Sequence, residues 1–309
     1  MIDDRSGKSA ATRVPRPPWL KIRLETGAAF REVRSTLRGG ELHTVCEEAR
    51  CPNQHECWGN GTATFLILGE ICTRACGFCA VTSGRPAPLD PNEPDEVAEA
   101  VARLGLRFAV ITAVDRDDLA DLGAGAFART VQRVRERNPD CEVEVLIPDF
   151  DGREDLLREV IEAGPIVVGH NTEVVPRLYP RIRFRHTFER TLGVLAAAAR
   201  LKQPRQIVKS GLMVGIGEED GEVEDLLRAL RGAGVEAVTI GQYLQPTKKH
   251  HPVVRYVHPE TFDAWRDFAL RIGFLHVESG PLVRSSYRAE RIVGAIGAGR
   301  PSAPRSTRP

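Results

Sequence analysis

The 309-residue chain lacks a charge excess of either sign: 43 basic residues face 42 acidic ones, for a formal net charge of +1. The basic surplus that a phosphate backbone requires is therefore missing, and a nucleic-acid partner is not expected. Long apolar runs are missing too. No stretch approaches the roughly 20 consecutive apolar residues that span a bilayer, so no membrane partner is expected. The opening residues, MIDDRSGKSA, carry Asp3 and Asp4 with no apolar core behind them, unlike a secretory signal. A cytoplasmic location is the expectation. With 42% hydrophobic and 28% charged residues, the composition is that of a soluble globular protein of one sizeable domain or two small ones.

An even cysteine count is also lacking. There are seven, at 46, 51, 57, 72, 76, 79 and 141, and six of them fall within 34 residues. Disulfide scaffolds usually spread an even number over a short secreted chain. Six clustered thiols in a large cytosolic protein point to metal binding instead.

Three parts can be distinguished. Residues 1–63 hold a Pro-rich arm (Pro15-Arg16-Pro17-Pro18-Trp19) expected to lie on the main body, then the first cysteine triplet. Residues 64–283 alternate strand and helix. Residues 284–309 hold Arg284-Ser285-Ser286-Tyr287 and, from Gly294, a Gly-, Pro-, Ser- and Arg-rich tail expected to be disordered. In the middle part, strands are predicted at 64–68, 108–112, 141–147, 166–168, 207–214 and 237–240. Helices are predicted at 95–104, 124–137, 153–163, 187–201, 222–231 and 259–272. Phe127, Val131 and Val134 show the helical spacing. Six repeats of strand then helix imply parallel βα units that curl with right-handed crossovers. A full (β/α)₈ barrel takes about 250 residues, more than this segment offers. The predicted fold is thus α/β, a partial (β/α)6 TIM-type barrel with terminal extensions. Ligands should gather where the strands end.

The second triplet, Cys72-Thr-Arg-Ala-Cys76-Gly-Phe-Cys79, follows the first of these strands. Three thiolates in one loop can hold a [4Fe–4S] cluster, which normally takes four cysteines, and leave one iron open. Zinc is the alternative, and it would need a fourth ligand from afar. The pattern C-x₃-C-x-Φ-C, with Phe78 as the aromatic, resembles the signature of the radical S-adenosylmethionine (SAM) superfamily. That resemblance implies a partial parallel barrel and an open iron that chelates the amino and carboxylate groups of SAM. It also implies reductive cleavage to a 5′-deoxyadenosyl radical that takes hydrogen from unactivated carbon.

The first triplet, Cys46-x₄-Cys51-x₅-Cys57, again has no local fourth ligand. Cys141 opens a predicted buried strand and reads as a small core residue. Further runs resemble the lipoyl synthase family across nearly the whole chain. They include Pro17-Pro18-Trp19-Leu20-Lys21, Leu42-His-Thr-Val-Cys46, Glu56-Cys57-Trp58, Thr112-Ala-Val-Asp-Arg-Asp-Asp118, His170-Asn171, Lys209-Ser-Gly-Leu-Met-Val-Gly215, Gly241-Gln-Tyr-Leu-Gln-Pro246 and Ser279-Gly-Pro-Leu-Val-Arg-Ser-Ser-Tyr287. The resemblance implies a second, auxiliary [4Fe–4S] cluster on Cys46, Cys51, Cys57 and Ser286. A serine oxygen is a harder ligand than thiolate, and its bond to iron should open more readily. Read without the resemblance, Arg284-Ser285-Ser286 is a turn with a serine cap.

The family reaction inserts sulfur at C6 and C8 of an octanoyl chain on a lysine of a carrier domain, using two SAM. Beyond the two triplets only Cys141 remains as a cysteine sulfur source, so the auxiliary cluster is the plausible donor, consumed and rebuilt. The implied partners are an octanoylated 2-oxoacid dehydrogenase E2 subunit or glycine-cleavage carrier protein, a ferredoxin or flavodoxin, and an iron–sulfur carrier protein. Arg284 could hold the cluster loop or gate the release of Ser286. Asn171, Glu173, Lys209, Gln242 and Tyr243, in or after predicted strands, are SAM-pocket candidates. They could equally close βα loops by ordinary hydrogen bonding. Asp115, Arg116, Asp117 and Asp118 read as a solvated charge run. His43, His55, His250 and His251 read as surface or loop residues. Two departures stand out: Leu122 replaces the first glycine of the family's Asp-Gly-Gly-Ala, and Val174 replaces a threonine after Glu173. Other readings are sulfur insertion into a free small molecule, as in biotin synthase, and a two-cluster electron carrier, which would normally saturate its irons with cysteine.

Overall fold

A computed structural model describes residues 15–21, 43–44, 51, 53–59 and 62–298. The short strand β1 (His43–Thr44) lies antiparallel to β2 (Thr62–Ile67) at one edge of the main sheet. β3 (Ile71–Cys72) and β4 (Thr82–Ser83) form a separate parallel pair. The main sheet continues from β2 through β5 (Phe108–Ala113), β6 (Glu142–Leu146), β7 (Val167–Gly169), β8 (Ile207–Val214), β9 (Ala237–Gln242) and β10 (His276–Gly280), all parallel. Among the described residues β1 and β10 do not pair with each other, so the barrel is open. Strands buried on both faces read as continuous apolar runs, and β9, every residue of it buried, is such a strand.

The helices are α1 (Gln54–Gly59), α2 (Glu93–Arg103), α3 (Ala124–Arg137), α4 (Glu154–Glu162), α5 (Tyr179–Ile182), α6 (Phe188–Leu201), α7 (Asp220–Gly232), α8 (Pro259–Arg271) and α9 (Arg291–Ala298). Phe127, Val131 and Val134 of α3 are fully buried, as their spacing predicts. Helix starts are fixed locally. Thr187 accepts from the Arg190 N–H at α6, and Pro259 occupies the first turn of α8. Among the described residues no helix is long and apolar enough to cross a membrane.

All six expected βα units are present, and β10 adds a seventh parallel strand. Its sequence, His-Val-Glu-Ser-Gly, is half-buried and polar, so no apolar run announces it. The tail expectation needs correcting. Residues 294–298 belong to α9, and only later residues lie outside the described structure. Strand alternation explains why α9 forms. Ala109 and Ile111 face the outer helices, whereas Phe108, Val110, Ile166, Val167, Ile207 and Ala237 form a second apolar cluster that takes in Ala289 and Ile292. The C-terminal segment thus closes the lower lumen. Burying a side chain such as Ile292 contributes about 1.5–3 kcal/mol.

The described part of the arm does lie on the body. Leu20 is buried, and the Trp19 ring meets His258 edge-on at 5.1 Å.

Candidate active site

After β2 the chain reverses through Leu68 and Gly69, both with positive φ, and enters the loop between β3 and β4. Cys72 ends β3, Cys76 and Cys79 follow in the loop, and all three are half-buried. The backbone N–H groups of Arg74 and Asp115 lie 3.4 and 3.3 Å from the Cys72 Sγ. Thr73 donates to the Asp115 carbonyl and Gly77 to that of Ile182. Burial raises the thiols above their ordinary range, Cys72 to about 11 and Cys76 to about 12. The Asp115 charge adds to both shifts, and Arg183 opposes at Cys76. Thiols so placed are neutral until a cation binds, and binding must release their protons.

Three sulfurs in one loop, with backbone donors aimed at Cys72, fit a cluster that takes three protein ligands. Zinc would need a fourth ligand beside the three cysteines.

Behind the loop lies an ionic network that corrects the reading of residues 115–118. The Arg74 guanidinium is buried and lies 2.8 Å from Asp117, 3.0 Å from Asp149 and 3.5 Å from Asp115. His186 Nδ1 is 3.2 Å from Asp149. Arg116 is also buried, donating to the carbonyls of Leu68 and Ala87 and to Asp118. Asp115 and Asp117 thus brace the cysteine loop through Arg74, and Arg116 is buried beneath it; only Asp118 is exposed. Spacing carries no signal for Asp149 and His186, because their partner Arg74 lies 75 and 112 residues away. Arg74, inside the cysteine motif, was the one visible hint.

Of the first triplet, Cys46 lies outside the described residues. Cys51 and Cys57 flank a segment bound to the C-terminal strap. The Asn53 amide donates to the Leu282 carbonyl at 2.5 Å. The Tyr287 hydroxyl donates to Glu56 at 3.1 Å, and Arg288 pairs with Glu56 at 3.0 Å. The Thr64 hydroxyl donates to Ser286 at 2.9 Å. Burial raises the Cys51 thiol, partly offset by the Asn53 N–H and the Arg284 charge. Arg284 itself donates to the carbonyls of Gln242 and Val283. Gly241 permits this seat, since a Cβ there would meet the Val283 carbonyl at 2.1 Å. The strap is thus held to the segment between Cys51 and Cys57 on either side of Ser286, by Asn53 and Glu56, while Thr64 of β2 holds Ser286 itself. Nothing in the spacing of Thr64, Asn53 and Glu56 marks them for that role.

The SAM-pocket candidates separate. Asn171 donates to the Glu173 carboxylate at 3.0 Å, and Glu173, raised by burial with Arg183 opposing, follows β7 on the upper rim. Val174 is fully buried in the core. Phe78 packs partly against the core beside its cysteines. Lys209 lies lower, three residues into β8, where Glu144 holds its ammonium at 2.7 Å. The Gln242 amide donates to Val214, Tyr243 and Arg255 carbonyls and accepts from Val257 N–H, and Tyr243 donates to the His251 carbonyl. Those last two close loops. Leu122 holds a positive φ at the turn into α3, a conformation that favours glycine.

A family model described as the radical SAM superfamily matches residues 66–230, and one for the N-terminal domain of lipoyl synthase matches residues 2–51. The lipoyl synthase of Chloroflexus aurantiacus is 54% identical over 286 residues, covering 93% of each chain. That of Rubrobacter xylanophilus is 53% identical, covering 92% of this chain and 89% of the relative. The chain belongs to the lipoyl synthase family. It is accordingly a radical SAM enzyme, a class that holds a [4Fe–4S] cluster and uses SAM. Two solved structures share the fold. Methylornithine synthase superposes with a TM-score of 0.53 at 15% identity, covering 81% of each chain. SuiB from Streptococcus suis bound to its precursor peptide gives 0.56 at 7% identity, covering 85% of this chain and 55% of that one.

Proposed function

We propose that this lipoyl synthase family member is a sulfurtransferase that inserts two sulfur atoms, at C6 and C8 of a protein-bound octanoyl-lysine, to give the lipoyl group. The observation that carries this reading is the strap around Ser286: Asn53 and Glu56, between Cys51 and Cys57, hold Leu282 and Tyr287 on either side of it, and Thr64 of β2 holds Ser286 itself. That strap supports a second cluster on Cys46, Cys51, Cys57 and Ser286, alongside the one on Cys72, Cys76 and Cys79. When bound, the clusters and SAM would supply the radical chemistry and the sulfur.

The chain's own residues do the rest. Arg74 and its carboxylates keep the cysteine loop in place. Asn171 and Glu173 offer polar groups at the rim for the amino end of SAM. Arg284, tied to β9, fixes the turn that presents Ser286. A reducing cytoplasm, where thiols stay available as cluster ligands, suits this reading. The partners are an octanoylated carrier domain, from a dehydrogenase E2 subunit or the glycine-cleavage system, a low-potential electron donor and an iron–sulfur carrier protein.

Mass spectrometry of an octanoylated carrier peptide, incubated with reconstituted protein, SAM and reductant, tests this directly. A gain of two sulfurs is expected. Sulfur gained by a free small molecule but not by the peptide would overturn the substrate assignment. Ser286→Ala is expected to keep SAM cleavage and lose most sulfur insertion.

A further inference from the structure

Two segments cover the Cys72–Cys79 loop without a part in the reaction proposed above. Gly77 donates to the Ile182 carbonyl at 2.8 Å and accepts from the His251 N–H at 2.9 Å. The His250 Nε2 lies 2.8 Å from the Cys79 carbonyl. Residues 181–185 and 247–251 are thus bonded directly to the backbone of the cysteine loop. Ile182 and Arg183 turn inward, while Arg181, Phe184, Arg185, Lys248 and Lys249 are exposed. Phe184, at 53%, is the most exposed large hydrophobic side chain among the described residues. Arg185 is 3.6 Å from Asp117, a carboxylate that Arg74 already holds. Among the described residues Arg181, Lys248 and Lys249 make no ion pair, so their charges stand unbalanced. The whole chain carries only +1, and this concentration of cations is local.

We infer that this surface docks an acidic one-electron donor protein of the ferredoxin or flavodoxin class; the inference rests on the radical SAM reading of the loop. An aromatic set among cations matches the enrichment of aromatic residues and arginine at interfaces. Unbalanced cations steer an acidic partner and speed its encounter. The octanoyl carrier must deliver a carbon to the barrel mouth. An electron donor needs only to approach the protein side of the cluster, and this surface is hydrogen-bonded to the ligands' own backbone. The step moves one electron: the donor's reduced centre loses it and the cluster gains it, with no atom or proton transferred.

The test uses full-length reconstituted protein and a flavodoxin of net negative charge. Binding is read by isothermal titration at low and high salt, without turnover, and SAM cleavage is driven either by reduced flavodoxin or by dithionite. The Lys248→Glu/Lys249→Glu variant is expected to weaken flavodoxin binding about tenfold and flatten its salt dependence. Flavodoxin-driven cleavage should fall in step, and dithionite-driven cleavage should hold. The single Lys249→Gln change should shift binding the same way by less. Unchanged flavodoxin affinity in the double variant overturns the inference, as does weakened carrier binding with flavodoxin binding intact. Wild-type protein inert to dithionite would instead defeat the radical SAM reading, which the binding measurement does not depend on.

Discussion

The Thr64 hydroxyl lies 2.9 Å from the Ser286 hydroxyl, joining the first barrel strand to a segment 222 residues later. Thr62, two residues earlier on the same face of β2, reaches Glu290 at 3.2 Å. The C-terminal segment therefore descends along β2, from Ser286 above to Ile292 below, and fills the lumen. Thr64→Val keeps shape but removes the donor to Ser286. It should cost about 1 kcal/mol in urea unfolding, the usual net worth of one hydrogen bond. It should also lower iron retention at the auxiliary site and leave iron at the Cys72 loop unchanged, which iron counts in Thr64→Val with and without Cys72→Ala would separate. Equal iron loss at both sites would show that Thr64 acts on the barrel as a whole.

Lys209 and Glu144 form a buried pair in the same lumen, at 2.7 and 3.0 Å from the ammonium to the two carboxylate oxygens. Burial pushes the Glu144 carboxyl up, and Lys209 opposes the shift. Lys209→Met leaves that carboxylate buried without a partner and should cost about 3–5 kcal/mol. Adding Glu144→Leu removes the stranded charge, and most of the loss should return. SAM affinity, measured by equilibrium dialysis on the double variant, should match the parent. A large drop there would restore Lys209 to the SAM pocket.

The six βα units were legible because each rests on local pattern: buried strands such as Ile207–Val214 and the Phe127, Val131, Val134 stripe. The cysteine loop was legible because its ligands sit within eight residues. What escaped was polar and long-range. β10 carries Glu278 and Ser279 in a half-buried strand. Asp149 and His186 meet Arg74 from elements 75 and 112 residues away, and no spacing rule encodes such a meeting. The acidic run at 115–118 was misread because its composition matches a solvated face, while the buried arginines that hold it are fixed only by the fold.

Arg205 holds a φ of +77° in the exposed turn before β8, with its side chain 3.9 Å from Glu142. A left-handed backbone costs a non-glycine residue about 1–2 kcal/mol, and a surface ion pair at that distance returns little. Glycine gains freedom in the unfolded chain, which offsets part of the relief. Arg205→Gly should therefore raise the urea midpoint by an amount equivalent to about 0.5–1 kcal/mol. The turn lies at the lower end of the barrel, away from the cysteine loop, so activity should be unaffected. A lowered midpoint would mean that the Glu142 contact outweighs the backbone strain.

Burial lowers His170 to about 4, with the Arg183 charge acting in the same direction, and lowers His276 to about 4 as well. Between that value and the ordinary histidine range near 6.5, the unfolded chain binds more protons than the folded one. Stability is thus fully present above pH about 6.5 and is lost as pH falls toward 4, by about 3 kcal/mol for the fully buried His170. Asp149 acts over a lower window. Burial would raise its carboxyl, but His186 and Arg74 outweigh this and hold it far below the ordinary value, so its contribution fades only below pH about 4. The raised carboxyls of Glu144 and Glu173 act with the opposite sign and offset part of this. Urea midpoints of the cluster-free protein should therefore decline by less than the histidines alone would give between pH 7 and pH 5. His170→Asn keeps a donor for the Ile147 carbonyl, which His170 Nδ1 meets at 2.9 Å, and removes the titration. That variant should show a visibly flatter decline. A slope identical to the parent's would mean that His170 does not carry the acid sensitivity of the fold.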